Sequence, residues 1–152
     1  MTPNQIFSLV NLVALCSWVL LAVLPRRRWV ANVVTGMAIP ALLATVYIAI
    51  VATKWGASSG GFSSLPAVAM LFSNPWLLLA GWTHYLAFDL FVGSWEARDA
   101  RDHGIPHLLV LPCLILTFLF GPAGWLLYLG VRYVYRGALR IGTRPAAARN
   151  IA

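Results

Sequence analysis

The chain has 152 residues, 61% of them hydrophobic and 10% charged, and a formal net charge of +7. Soluble domains carry about 25% charged residues, so an ordinary soluble domain is excluded, and the length suits a single domain without internal repeats. The positive charge is nearly all arginine and flanks apolar runs, which fits membrane headgroups and orientation and excludes a nucleic-acid partner.

A bilayer core of about 30 Å needs roughly 20 apolar residues per crossing helix. The first such run spans about Asn4 to Leu24, before Pro25 and the arginines Arg26, Arg27 and Arg28. With no basic leader and no small-residue cleavage pattern, it reads as a retained span. A second run covers about Trp29 to Thr53, with Pro40 a candidate kink. KWGASSGGFSS then connects, and LPAVAMLF is too short to cross and suits the interface.

Pro75 opens a third span, suited to a first helical turn. Trp95 marks an interface, and EARDARDH carries the helix beyond the membrane to a cap at Gly104, with a restart at Pro106. A fourth span begins at His107 and reaches about Tyr135, kinked or broken at Pro112 and at Gly121-Pro122. The expected architecture is an all-α integral membrane bundle of four transmembrane helices over residues 1–137. A basic, disordered tail follows at 138–152.

Four crossings put Arg26, Arg27, Arg28, Arg98 and Arg101 on one face. Lys54, Arg132, Arg136, Arg140, Arg144 and Arg149 fall on the other, a split that sets no orientation. A re-entrant turn at GPAG would instead gather every arginine on one face and leave Lys54 alone opposite. Four crossings are preferred because residues 107–120 are too few to cross alone.

Every acid and histidine of the chain lies between His84 and His107: His84, Asp89, Glu96, Asp99, Asp102, His103 and His107. With about 1.5 Å of rise per residue, Asp89 lies roughly 9 Å inside Trp95 and His84 roughly 16 Å inside. An aspartate at a helix centre costs about 2.5–3.5 kcal/mol to insert, which makes such residues functional candidates. At 100° per residue, Tyr85, Asp89, Glu96 and His103 share one stripe, while His84, Phe88, Phe91, Trp95 and Arg98 share another. The stripes stand about 140° apart, so His84 and Asp89 cannot touch on a regular helix: either the site wraps the third span or each residue faces a different neighbour.

Asn32 and Thr35 come to the same side of the membrane as Asp89, Glu96 and His107. The catalytic candidates are His84, Asp89 and His107, and the substrate-binding candidates Asn32, Tyr85, Phe88, Trp95 and Glu96. Together they suit a lipid-soluble small molecule with a polar end, among membrane lipids. Asp99, Asp102 and Arg98 read as a solvated face with an Arg98–Asp102 pair one turn apart. Cys16 and Cys113 lie in apolar runs and read as structural.

Acid–base chemistry requires no cofactor. A metal ion is the alternative, since Asp89, His84 and His107 offer the two-histidine, one-carboxylate set of non-haem iron sites, and HGIPH has a metal-like spacing. Three histidines are too few for a histidine-box oxidase. A non-catalytic pigment binder or assembly protein and a proton pathway are the competing functions. The sequence leaves the oligomeric state open.

The blocks "WTHYLAFDLFVG", "GIPH" and "LTFLFGPAGWLLY" resemble the ABA DEFICIENT 4-like family over about residues 4–135. The resemblance implies a four-span membrane protein, with motif positions at His84, Asp89, His107, Gly121, Pro122 and Gly124. It also implies carotenoid chemistry, because the plant member is required to convert violaxanthin to neoxanthin. These are isomers, so the step needs only an acid at the epoxide oxygen and a base at a polyene proton, here Asp89 with His84 or His107. Composition and the lack of a transit peptide suggest a bacterial member in the cytoplasmic membrane, acting on a carotenoid, another isoprenoid or a related lipid.

Overall fold

A computed structural model describes residues 1–24, 27–57 and 59–136, and the tail at 138–152 lies outside them. Among the described residues the chain is all helical: α1 (Pro3–Val23), α2 (Val30–Lys54), α3 (Leu65–Phe72), α4 (Pro75–Asp102), α5 (His107–Phe120) and α6 (Pro122–Arg136). Two helices, α1 and α2, are long and apolar enough to cross a membrane. A third crossing arises if α3 and α4, bent by 101° to each other, count as one.

Local chemistry sets the ends. The Thr2 hydroxyl accepts from the Gln5 amide and the Gln5 side chain accepts from the Thr2 amide, a reciprocal cap that starts α1. The Asn74 side chain accepts from the Trp76 amide to start α4, with Pro75 in the first turn. Gly104, at φ 66°, lets the chain leave α4. In α2 the expected disturbance near Pro40 is a change of winding. Residues Val30–Ala38 are π-helical, and the Ile39 amide bonds the Val34 carbonyl, five residues back. A proline cannot donate to the carbonyl four residues before it, so the regular ladder is already broken there.

α4 is the central helix, packed against all the others. α1 runs parallel to it, pairing Asn11 with Trp82 and bringing Ala22 to His107. α2 runs antiparallel, pairing Thr35 with Ser94, Asn32 with Arg101, and Lys54 with Trp76. The two apolar clusters stack along this axis. Trp18, Leu21, Val30, Leu90, Val110 and Leu114 fill one end, and Val10, Ala14, Leu43, Ile50, Leu79 and Leu86 the other. Leu12, Val19, Ile48 and Leu126 are turned outward and exposed, as lipid-facing residues would be.

The single fourth span expected from sequence does not form. The helix breaks at Gly121, as the motif suggests, but α6 folds back along α5. Thr117 of α5 meets Glu96 of α4, and Phe118 meets Tyr85, so α5 runs antiparallel to α4. Tyr128 and Arg132 of α6 then reach Asp99 and His103, so α6 returns to the end from which α5 started. Gly121, at φ 43°, makes the reversal, a conformation that a side chain disfavours. Gly124 completes it, because a Cβ there would run into the backbone and hydroxyl of Thr117. Pro112 sits inside α5 without ending it.

Candidate functional site

The reversal brings the α5–α6 tip against the Tyr85–Asp89–Glu96 stripe. A Cβ on Gly121 would stand 2.7 Å from Asp89 Oδ1, so the Asp89 carboxyl abuts the residue preceding Pro122 and faces the N-terminus of α6. The positive end of a helix dipole lies there. The Tyr85 hydroxyl lies beside this carboxyl, one turn away on α4, and also points at the Phe118 carbonyl 3.4 Å off.

Nearer the arginine-bearing end, Glu96 is 0% exposed. Its Oε1 accepts a 2.9 Å hydrogen bond from the Thr117 hydroxyl. The second oxygens of both carboxyls, Asp89 Oδ2 and Glu96 Oε2, are shielded from solvent and have no hydrogen-bond partner among the described residues. Buried carboxylates are normally paired or fully hydrogen-bonded, so this pair is an exception that calls for an explanation.

Asp99, on the same helix, has the opposite treatment. Sequence reading placed it on a solvated face, yet it is 7% exposed. Its Oδ2 accepts from the Tyr128 hydroxyl at 2.6 Å and from Arg132 Nε at 2.6 Å, and Arg132 is itself 1% exposed. His103 closes the set, with Nδ1 2.8 Å from the Asp99 carbonyl and Nε2 3.2 Å from Arg132 Nη2. Because a guanidinium only donates, Nε2 is the accepting nitrogen and Nδ1 carries the proton. The available signal was Tyr128 and Arg132 one turn apart inside a nominal span, where an arginine needs a carboxylate.

Arg98, also assigned to the solvated face, turns from Asp102 to the π-helical segment and donates to the Ala31 carbonyl at 2.6 Å. Asp102 lies instead 4.0 Å from Arg101. Thr35 and Ser94, both buried, bond at 2.7 Å in the same seam.

The three catalytic candidates do not share a cavity. Asp89 faces the hairpin tip. His84 is exposed on the far stripe, stacked on Phe88 with ring centres 4.5 Å apart and 5.5 Å from Tyr47. It lines an aromatic cavity of about 290 Å³ with Trp55, Phe62 and Phe72. His107 Nε2 lies 2.8 Å from the Ala22 carbonyl, a contact that ties α5 to the end of α1. Of the binding candidates, Tyr85 and Glu96 join Asp89. Phe88 stays with His84, and Trp95 packs edge-on to Tyr128 at 5.6 Å. Asn32, exposed, accepts from Arg101 at 3.4 Å. The iron-type set of Asp89, His84 and His107 is therefore not assembled, and among the described residues no three His, Cys, Asp or Glu gather as metal ligands.

No curated protein and no solved structure matches the chain. The family model described as ABA DEFICIENT 4-like matches residues 5–128, through the hairpin turn and as far as Tyr128. With the blocks around Asp89, His107 and Gly121 inside that match, the chain belongs to the ABA DEFICIENT 4-like family.

Proposed function

We propose that this protein is a membrane-embedded acid–base enzyme acting on a carotenoid, another isoprenoid or a related lipid, by a redox-neutral isomerisation such as epoxide opening. The observation that carries the reading is the contrast along α4. Asp99 has its arginine, whereas Asp89 and Glu96 each keep an unpartnered, shielded oxygen beside the hairpin tip. Groups held that way are suited to exchange protons with a substrate. Glu96, enclosed beside Thr117, is cast as donor to the epoxide oxygen. Asp89, facing the positive end of α6, is cast as acceptor of the polyene proton. One C–O and one C–H bond break, and substrate and product remain isomers. This exchanges the role given to Asp89 from sequence and leaves His84 and His107 outside the proton transfer.

Loss of a positioned acid or base costs about 10²–10⁴ in rate. In a pigment-producing host, Asp89→Asn and Glu96→Gln should each cut conversion by about a hundredfold or more, read by chromatography of the pigments and isoprenoids. His84→Ala should cost less than about tenfold, since it lies outside the proton transfer. The reading fails if the wild type changes no such compound, or if both carboxyl variants convert normally.

The topology belongs to the same proposal. α1, α2 and the bent α3–α4 pair cross the membrane, and α5–α6 enters and leaves on one face. Among the described residues, Arg27, Arg28, Arg98, Arg101, Arg132 and Arg136 then lie on that face with Lys54 opposite, which the positive-inside rule reads as a cytoplasmic face. A reporter fused after Arg136 should be cytoplasmic, and one inserted near Gly61 should lie on the other side. Both reporters on one side would restore four crossings. A second, non-catalytic reading as a pigment binder draws on the apolar groove of about 280 Å³ lined by Pro40, Ala41, Ala44, Ala87, Phe88 and Phe91. It predicts retained pigment in the Asp89→Asn protein.

A further inference from the structure

Two cavities meet at the arginine-bearing end, and neither belongs to the Asp89–Glu96 site. The first, about 480 Å³, lies where α4 ends and α5 begins; Arg28, Arg101 and His107 line it together with apolar residues. Its floor is apolar and buried: Ala97, Ala100, Ile105 and Val110. The second, about 600 Å³, is lined by Arg28, Asn32, Arg98, Arg101 and Asp102 beside Met37 and Phe91. Arg28 and Arg101 line both.

The Arg101 guanidinium is the telling group. Its Nη2 donates to Asn32 Oδ1 at a long 3.4 Å, and its Nε lies 4.0 Å from Asp102 Oδ1. Among the described residues, Nε and Nη1 are shielded from solvent and have no hydrogen-bond partner. Donors left unmade in that way are costly, and a planar fork of N–H groups matches two oxygens of one anion. Three arginines, Arg28, Arg98 and Arg101, line the second cavity beside one carboxylate residue, Asp102. His107, held by the Ala22 carbonyl, adds an imidazole to the first cavity. A cationic rim above an apolar floor fits an anion carried on a hydrocarbon body.

We propose that Arg101, with Arg28, forms a site for a phosphate-bearing amphiphile at the arginine-rich face of the protein. The phosphate takes the Arg101 fork and the Arg28 guanidinium, and the start of the hydrocarbon covers Ala97, Ala100, Ile105 and Val110. The site is separate from the proposed acid–base centre and stands without it.

The test uses the full chain in a neutral maltoside detergent, titrated with dihexanoyl phosphatidic acid and followed by intrinsic tryptophan fluorescence. Parallel arms use inorganic phosphate and dihexanoyl phosphatidylcholine. Saturable binding of phosphatidic acid is expected, weakened about tenfold or more by Arg101→Gln, the worth of a charge-assisted pair. Arg101→Lys should fall between, keeping the charge and losing the fork. Arg27→Gln, an exposed arginine outside both linings, should change it less than about twofold. Arg28→Gln serves where Arg101→Gln does not fold, judged by gel filtration. Tighter binding of inorganic phosphate than of phosphatidic acid would reassign the site to free phosphate and overturn the amphiphile. No saturation, or equal losses in Arg101→Gln and Arg27→Gln, would reduce the site to diffuse charge and overturn the proposal.

Discussion

Arg132→Ala should be among the most destabilising single changes in the protein, at about 3–5 kcal/mol, because it strands a buried carboxylate. Asp99 is 7% exposed and takes two of its short bonds from Arg132 and Tyr128, both on α6. Removing the guanidinium leaves the acid with the Tyr128 hydroxyl and the more distant His103 ring, 3.4 Å away. The pair is also the clamp that holds the returning helix to α4, so its loss should free α6 from the bundle. Replacing both partners by apolar residues removes the stranded charge along with the bond, a change that is often neutral or stabilising. Asp99→Leu combined with Arg132→Met should therefore recover most of the stability that Arg132→Ala loses. Equilibrium unfolding in mixed micelles measures both. A loss under about 1 kcal/mol for Arg132→Ala would mean that the pair behaves as an exposed ion pair and that the clamp is absent.

The helices were legible in the sequence where length and capping agree. Apolar runs near 20 residues, Pro75 after Asn74, and Gly104 before Pro106 each rest on local chemistry that the chain cannot evade. The direction of the chain after Gly121 was not legible in the same way. Hydrophobic periodicity describes a helix and its apolar face, and it reads the same whether the next helix continues or folds back. What decides is a positive φ at Gly121 and contact of Gly124 with the Thr117 backbone, which are three-dimensional facts. The charge distribution held the indirect signal, since only a reversal gathers the arginines on one face.

The candidate site divides along the same line. The 100° spacing placed Tyr85, Asp89 and Glu96 together and put His84 on another stripe, and the fold keeps both relations because α4 is one regular helix. The burial of Asp99 is not legible in the sequence, because its partner lies 33 positions away on a helix that folds back. The place of His107 is hidden for a simpler reason. Its ring is engaged by the Ala22 carbonyl on α1, a contact that no pattern within its own segment announces.

Two glycines of α6 give a matched test of the reversal. At Gly130 no described residue lies within 4 Å of where a Cβ would sit, so Gly130→Ala should gain about 1 kcal/mol from helix propensity. At Gly124 the same methyl meets the amide nitrogen, Cα and hydroxyl of Thr117. Backbone cannot turn aside as a flexible side chain can, so α5 and α6 must separate, and overpacking of this kind costs about 1–3 kcal/mol. The effect does not stop at stability. Thr117 is the donor to Glu96, and pushing it away leaves that carboxyl without its hydrogen bond at the site proposed for proton transfer. Gly124→Ala should therefore lower both the unfolding midpoint and pigment conversion, while Gly130→Ala should raise the first and leave the second unchanged. If the two substitutions move the midpoint in the same direction by similar amounts, the helices do not touch at Gly124, and the folded-back hairpin must be replaced by a single broken span.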